Sequence, residues 1–364
     1  MDANRKKIVF VLPRLYPGGA ERVLITLMNN LPREYYDIEF VSLSGEGTIR
    51  HWIDSDIPIH SLNKKNVSSS LLALYKKLKE LKPDTIVTTM ILTNAGVVML
   101  KPFFSGVRFV IRESSLPKAL INEYGRKGRV SRYIYKYLYP RADLVISPTK
   151  LIIEEFKTYV KIDVSNHKVL YNPVNERRLH STISHFDFPP ERAKTVRFVC
   201  VGRLGYEKGY DRLIESLVGF KMPDGYDWQL NIIGKGAETK KLGDLVRRNN
   251  LKGHVHLSGY RNTPWPDIAE ADCLLLPSRW EGMPNVVLEA LSCGTRVIAH
   301  RDAGGVAEIS ELADESDVQV AKDMDAFVGM MRNVKPCMPS LPLKSLLPSQ
   351  FTLKSVMNKF EEMI

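Results

Sequence analysis

Cysteine is scarce in this chain: four in 364 residues, Cys200, Cys273, Cys293 and Cys337. None stands at metal-ligand spacing and no paired framework links them, which argues against a zinc ribbon or a disulfide scaffold; two lie inside apolar runs and read as buried thiols. Long apolar runs are missing as well. No stretch reaches the roughly 18 residues of a membrane span, and Arg5-Lys6-Lys7 leads into a short strand with no cleavage signature, so the expectation is a cytoplasmic chain. Low-complexity tracts are absent, and no repeat is evident beyond two similar halves. What remains is a globular composition, 44% hydrophobic and 26% charged, on a chain long enough for two domains.

The charge is lopsided. Residues 1–172 hold 27 Lys+Arg against 16 Asp+Glu, and residues 173–364 hold 25 against 25, so the whole net charge of +11 belongs to the first half. Much of it lies in Lys76-Lys77-Leu78-Lys79 and in the run Arg126, Lys127, Arg129, Arg132, Lys136, which is interleaved with Tyr133, Tyr135, Tyr137 and Tyr139. Basic residues and aromatics on one helix suit an anionic membrane surface. A solvated helix face whose tyrosines fill the core explains the same pattern. No nucleic-acid-binding motif accompanies the charge, so no nucleic-acid partner is expected.

Short apolar strands alternate with amphipathic helices twice over. In the first half, Ile8 to Leu12, Ile38 to Leu43, Thr85 to Thr89, Phe109 to Arg112 and Leu144 to Ser147 read as strands, with helices such as Ala20 to Leu31 and Ser70 to Leu81 between them. The pattern restarts with Phe198 to Val201, Leu230 to Ile233, Val255 to Leu257, Cys273 to Leu276 and Arg296 to Ala299. Such alternation implies an α/β fold of two parallel sheets, each covered on both faces. The stretch 173–195, with Asn172-Pro173 at one end and Pro189-Pro190 near the other, reads as the linker between a domain of 1–172 and one of 196–350. A Pro-rich segment, 335–348, precedes a last helix, 351–364.

The strongest functional signal is Pro277-Ser278-Arg279-Trp280-Glu281-Gly282-Met283-Pro284-Asn285-Val286-Val287-Leu288-Glu289-Ala290. An apolar strand runs into a polar loop, and a helix follows. A junction of this type offers free amides and a positive dipole end to an anion. Two carboxylates, Glu281 and Glu289, beside an anion site suit the hydroxyls of a sugar. Arg203 and Lys208 leave the end of another strand in the glycine-bearing loop Gly202-Arg203-Leu204-Gly205-Tyr206-Glu207-Lys208-Gly209, where a fork and a compact cation can converge on phosphate. Gly18-Gly19 before a helix start, Ile233-Gly234-Lys235-Gly236, Ser258-Gly259-Tyr260-Arg261 and Asp302 to Glu308 are further strand-end glycine loops; a tight turn alone would explain each. The first of these is not Gly-x-Gly-x-x-Gly, so a dinucleotide fold is poorly supported.

Gly18-Gly19-Ala20-Glu21, Gly202-Arg203 with Lys208-Gly209, and Glu281 to Glu289 together resemble the retaining glycosyltransferases of family 4, across nearly the whole chain. The resemblance implies the GT-B fold, two Rossmann-like domains facing across a cleft, with acceptor in the first, donor in the second, and the last helix crossing back to the first. It implies that Arg203 and Lys208 hold the diphosphate of a nucleotide sugar, expected to be UDP-linked. Glu281 would contact a sugar hydroxyl, the amides around Met283, Pro284, Asn285 and Val286 the sugar or phosphate, and Glu289 the ribose. Gly18 and Gly19 would close on the diphosphate; apart from the resemblance, backbone groups of the Gly234 and Arg261 loops suit the edge of a base, and loop geometry alone explains them equally. Members often carry a His in the loop after the fourth strand; here it reads Ile111-Arg112-Glu113-Ser114-Ser115, leaving Arg112 and Glu113 as candidate sugar or acceptor contacts.

The expected activity is a retaining hexosyl transfer from the nucleotide sugar to a glycan acceptor, lipid-linked and at the inner face of the membrane, in surface-polysaccharide or lipopolysaccharide synthesis. Cations fixed on the departing diphosphate lower the barrier as its charge develops. No cofactor and no metal are expected: Asp54-Ser55-Asp56 and Asp323-Met324-Asp325 match an Asp-x-Asp pattern away from the expected site. The alternatives are a nucleotide-sugar epimerase of the same fold and a non-catalytic partner of another transferase. A two-carboxylate glycoside hydrolase is disfavoured, because it needs no diphosphate site.

Overall fold

Thirteen strands of the computed structural model, which describes residues 5–123, 125–163, 165–186, 194–337 and 342–364, fall into two sheets in which every pairing is parallel. The first sheet contains β1 (Lys6–Leu12), β2 (Tyr36–Ser42), β3 (Ile59–Ser61), β4 (Thr85–Thr89), β5 (Arg108–Arg112), β6 (Leu144–Ser147) and β7 (His167–Val169). Its order is β3-β2-β1-β4-β5-β6-β7. The second contains β8 (Thr195–Val201), β9 (Asp227–Ile233), β10 (Val255–Gly259), β11 (Cys273–Leu276), β12 (Arg296–His300) and β13 (Val318–Ala321), in the order β10-β9-β8-β11-β12-β13.

Both sheets therefore wind outward from one internal strand pair, β1–β4 and β8–β11, the Rossmann-like pattern in which ligands bind outside the carboxyl ends of the strands at the reversal point. Their central strands are apolar on both faces because helices cover both. Ile8, Val9, Phe10, Val11 and Leu12 of β1 are all fully buried, and so are Leu274 and Leu275 of β11. In the second sheet Phe198, Cys200, Leu230, Ile232 and Leu275 form one apolar cluster with helix residues Leu213, Ile214 and Leu242.

Chain contacts divide the protein into one unit of Met1–Pro173 with Lys354–Ile364, and a second of Val174–Leu353. The boundary thus falls at the start of the tract read as a linker. That tract is also less plain than its composition suggests: Glu176–Ile183 is a helix, capped by the Asn175 side chain accepting from the Arg178 amide, and it buries Leu179 and Ile183. Eight residues are too few for sustained periodicity to stand out beside turn formers, which is why it reads as linker. Pro189-Pro190 and part of the Pro-rich segment, 338–341, lie outside the described residues. The last helix, Leu353–Met363, buries Val356, Met357 and Phe360; Lys6 donates to the Ile364 carbonyl at 2.7 Å, and Lys359 lies over the Tyr171 ring.

The tyrosines of the basic helix Gly125–Tyr137 and of the turn that follows it divide between core and surface. Tyr135 and Tyr139 are fully buried, Tyr135 edge-on to Phe156 and Tyr139 stacked on it, while Tyr133 and Tyr137 are exposed and lie against each other at 5.2 Å. No helix among the described residues is long and apolar enough to cross a membrane.

Candidate active site

In the second unit the loops after β8 and β11, the pair at which the sheet reverses, meet through charge. The Lys208 ammonium donates to Glu281 Oε1 at 2.6 Å, and the Ser278 hydroxyl donates to the same oxygen at 2.8 Å. Both charged side chains are mostly shielded, at 18% and 14% exposure. Arg203 is far more open, and its guanidinium donates to Glu207 Oε1 from Nε and Nη2 at 3.0 and 2.7 Å. Two cations and a carboxylate thus stand at the carboxyl edge of the central strands, where a helix start, Asn285–Ser292, has no side-chain cap. Its leading amides and dipole favour an anion there. Met283, Pro284, Val286 and Glu289 are buried around this start, and Asn285 is half-buried.

Two glycines let these loops approach. A Cβ on Gly234, which holds φ 155°, would come within 1.8 Å of the Gly202 carbonyl oxygen, so the loops after β9 and β8 touch backbone to backbone. A Cβ on Gly305 would likewise fall 1.8 Å from the Gly282 carbonyl oxygen, which presses the loop after β12 onto the Glu281 turn. Arg261, by contrast, is committed to Asp267 at 2.7 Å. Burial raises the Asp267 carboxyl despite that partner.

The sequence alone missed the residues that hold this arrangement. Arg279 forks onto Asp211 at 2.7 and 3.0 Å, donates to the Tyr206 carbonyl at 2.8 Å, and its amide donates to the Glu207 carbonyl at 2.7 Å. Burial pushes the Asp211 carboxyl up, but its bonds and charge contact with Arg279 outweigh that and leave it below its usual range. Arg212 donates to the Pro277 and Ser278 carbonyls at 2.8 and 2.7 Å and to Asp302 at 2.9 Å. Two arginines therefore tie the loops after β8, β11 and β12 into one rim. Arginines two residues before Glu281 and four after Lys208 were the available signal.

The first unit has its own candidates. Gly18, in extended conformation, precedes the helix Gly19–Asn29 at the end of β1, beside β4. At the end of β4, Met90 holds φ 75° and ψ 124°, a strained setting for a residue with a side chain. Arg112 and Glu113, read as candidate sugar contacts, are 2% and 1% exposed. Arg112 donates to Asn172 Oδ1 at 2.6 Å, and burial lowers its guanidinium to about 10, so it stays charged at neutral pH. Glu113 accepts from the Tyr139 hydroxyl at 2.5 Å and from the Ser115 amide at 2.8 Å, yet burial still raises its carboxyl. Both side chains are buried, Glu113 with its bonds to Tyr139 and Ser115, and Arg112 with Nε and Nη1 meeting no partner among the described residues. Of the Asp-x-Asp residues, Asp54 and Asp56 pair with Arg33, and Asp323 caps the helix Met324–Met331.

The family model described as Glycosyltransferase Family 4 matches residues 17–178, and that of Glycosyl transferases group 1 matches residues 183–334. A Campylobacter jejuni protein named N-acetylgalactosamine-N,N'-diacetylbacillosaminyl-diphospho-undecaprenol 4-alpha-N-acetylgalactosaminyltransferase is 26% identical over 312 residues, 84% of this chain and 83% of that one. Among solved structures, the apo lipopolysaccharide outer core galactosyltransferase WaaB superposes with a TM-score of 0.68 at 22% identity, covering 98% of each chain. Anabaena HepE in complex with UDP and glucose does so with a TM-score of 0.74 at 18% identity, covering 98% of this chain and 99% of that one.

Proposed function

Because this chain belongs to the family 4 glycosyltransferases of surface-polysaccharide type, with the GT-B fold, we propose that it transfers a sugar from a UDP-sugar to a lipid-linked glycan with retention at the anomeric carbon. The observation that carries the reading is the Lys208–Glu281 pair at the β8–β11 reversal, with Arg203 beside it. Strands lie about 4.8 Å apart, so β10 to β11 spans about 14 Å, room for a nucleotide sugar laid along the strand ends. The base then meets the Gly234 and Arg261 loops, the diphosphate meets Arg203 and Lys208, and the sugar hydroxyls meet Glu281. Glu289 serves the ribose.

In the transfer step the acceptor hydroxyl oxygen bonds to the anomeric carbon as the bond from that carbon to the diphosphate oxygen breaks. The electron pair leaves with the diphosphate, a phosphate oxygen takes the hydroxyl proton, and attack comes from the leaving group's face. Lys208 enters this step mostly shielded from water, so its charge acts on the departing phosphate with less screening than it would have in bulk solvent. Glu281 orients the sugar and forms no bond to it. The scheme needs no metal ion.

HepE binds UDP and glucose, which supports the donor class, and the Campylobacter relative's name gives a diphospho-undecaprenol-linked acceptor, which supports the acceptor class. The exposed Tyr133 and Tyr137 on the basic helix support peripheral contact with the inner face of an anionic membrane. A thermal-shift panel of UDP-, GDP- and ADP-sugars tests the donor: a UDP-sugar is expected to raise the melting temperature most and to transfer to a diphospho-undecaprenol-linked sugar, with the product anomer read by NMR. Conversion of the donor to another sugar with no acceptor present would instead establish the epimerase.

A further inference from the structure

Two aromatic rings flank the Lys208–Glu281 pair, and the chemistry above uses neither. Tyr206 opens the turn that carries Lys208, Trp280 immediately precedes Glu281, and the ring centroids lie 6.0 Å apart with planes inclined at 60°. Tyr206 is 52% exposed and Trp280 is half-buried. The Tyr206 ring is nonetheless held. The Arg279 guanidinium sits 4.0 Å from its centroid, and that guanidinium is fixed by its fork onto Asp211 and its bond to the Tyr206 carbonyl. One part of the ring is covered by a cation that cannot swing away, while the rest faces water.

Locking a solvent-facing aromatic removes in advance the rotamer freedom that a ligand would have to freeze. A rigid ring with an open apolar surface, next to a fixed carboxylate and ammonium, matches the two-sided chemistry of a pyranose. Its axial C–H groups stack on an aromatic face, and its hydroxyls reach polar groups at the edge. We propose that Tyr206 and Trp280 form a platform for a pyranose ring of the acceptor glycan. This rests on the transfer reading, which already distributes the donor: base to the loops after β9 and β10, phosphates to Arg203 and Lys208, transferred sugar to Glu281. The two rings are left for the second sugar of the reaction. Arg279 and Asp211 are positioning residues for that platform.

The probes are n-octyl glycosides of galactose, glucose, N-acetylgalactosamine and N-acetylglucosamine, titrated with UDP present and followed by tryptophan fluorescence. At least one is expected to change the emission of the wild-type protein, and Trp280→Phe should remove the change although three other tryptophans remain. Tyr206→Ala should weaken that glycoside at least tenfold, Tyr206→Phe should restore binding to within threefold, and acceptor KM should follow the same order while donor KM moves less than threefold. A wild-type protein whose fluorescence responds to none of the glycosides overturns the platform. So does a folded Tyr206→Ala variant with unchanged acceptor KM, or one whose loss falls on UDP, which would make the ring a nucleobase stacker. Failure of the wild-type protein to transfer from any nucleotide sugar would instead count against the transfer reading, because glycoside binding is read without turnover.

Discussion

Replacing Lys208 by alanine separates what the Lys208–Glu281 pair does for the fold from what it does for the reaction. The pair is 2.6 Å long and mostly shielded, and after the substitution Glu281 keeps the Ser278 hydroxyl as a donor. Exposed ion pairs contribute up to about 1 kcal/mol, and breaking a fully buried one costs about 3–5 kcal/mol. A shielded but hydrated pair with one surviving hydrogen bond falls between, at about 2 kcal/mol, which lowers the melting temperature by roughly 4–8 °C for a unit of this size. The kinetic loss is larger. Removing one preorganised charge partner of a developing anion costs about 100- to 1,000-fold in kcat, or about 3–4 kcal/mol. The double variant Lys208→Ala/Glu281→Gln discharges the stranded carboxylate and should recover about 1 kcal/mol of stability with no recovery of rate. Urea unfolding and UDP release from the best donor read the two quantities. A Lys208→Ala enzyme within tenfold of wild type, or a double variant whose kcat returns, would refute the assignment of Lys208 to the leaving diphosphate.

Three further outcomes follow from the geometry. Burial, aided by Lys157, holds the His167 imidazole down at about 4. The unfolded chain takes that proton near pH 6.5, so the stabilisation is complete above about 6.5 and falls by up to about 3 kcal/mol as pH drops to 4; urea midpoints of His167→Gln should lose this dependence. Gly305→Ala drives a methyl into the Gly282 carbonyl; overpacking of about 1–3 kcal/mol and a tenfold or greater fall in kcat/KM are expected, and unchanged kinetics would dissociate the β12 loop from the site. Reversing Arg126, Lys127, Arg129 and Arg132 to glutamate removes about 1 kcal/mol of attraction per basic residue. Sedimentation with phosphatidylserine vesicles should fall more than 100-fold, and unaltered co-sedimentation would remove the helix from the membrane contact.

The central strands were legible because burial on both faces leaves an unbroken apolar run: β4, β6 and β11 match the sequence reading residue for residue, and β1, β5, β8 and β9 differ only at their ends. The edge strands β3, β7 and β13 were not, since three or four residues with at most two buried positions carry no such run, whereas the edge strand β10 was read at Val255 to Leu257. Lys208 and Glu281 could be singled out because a cation and a carboxylate at strand ends have few structural uses. Arg279 and Arg212 could not. An arginine in a polar loop is ordinarily solvated, and the partners that give these two their role, Asp211 and the Pro277 carbonyl, lie 68 and 65 residues away. Arg112 and Glu113 are buried at the loop where the sequence offered them as candidates, and the partners they meet there, Asn172 for Arg112 and Tyr139 for Glu113, are ones that no local pattern connects.

The last helix groups with residues 1–173 rather than with the segment that precedes it, and the chain passes between units at two points that are themselves paired: the Val174 amide donates to the Phe351 carbonyl at 3.0 Å, and Val174 bridges Thr352. In genetic terms the second unit is an insert, spliced into the first between neighbouring positions. A fragment ending at 173 would lack the helix that carries Val356, Met357 and Phe360 and would be an incomplete protein. Joining 173 directly to 354 through a few glycines should instead give a continuous first unit, and the excised Val174–Leu353 a cassette that can be exchanged between relatives with both cut points already side by side.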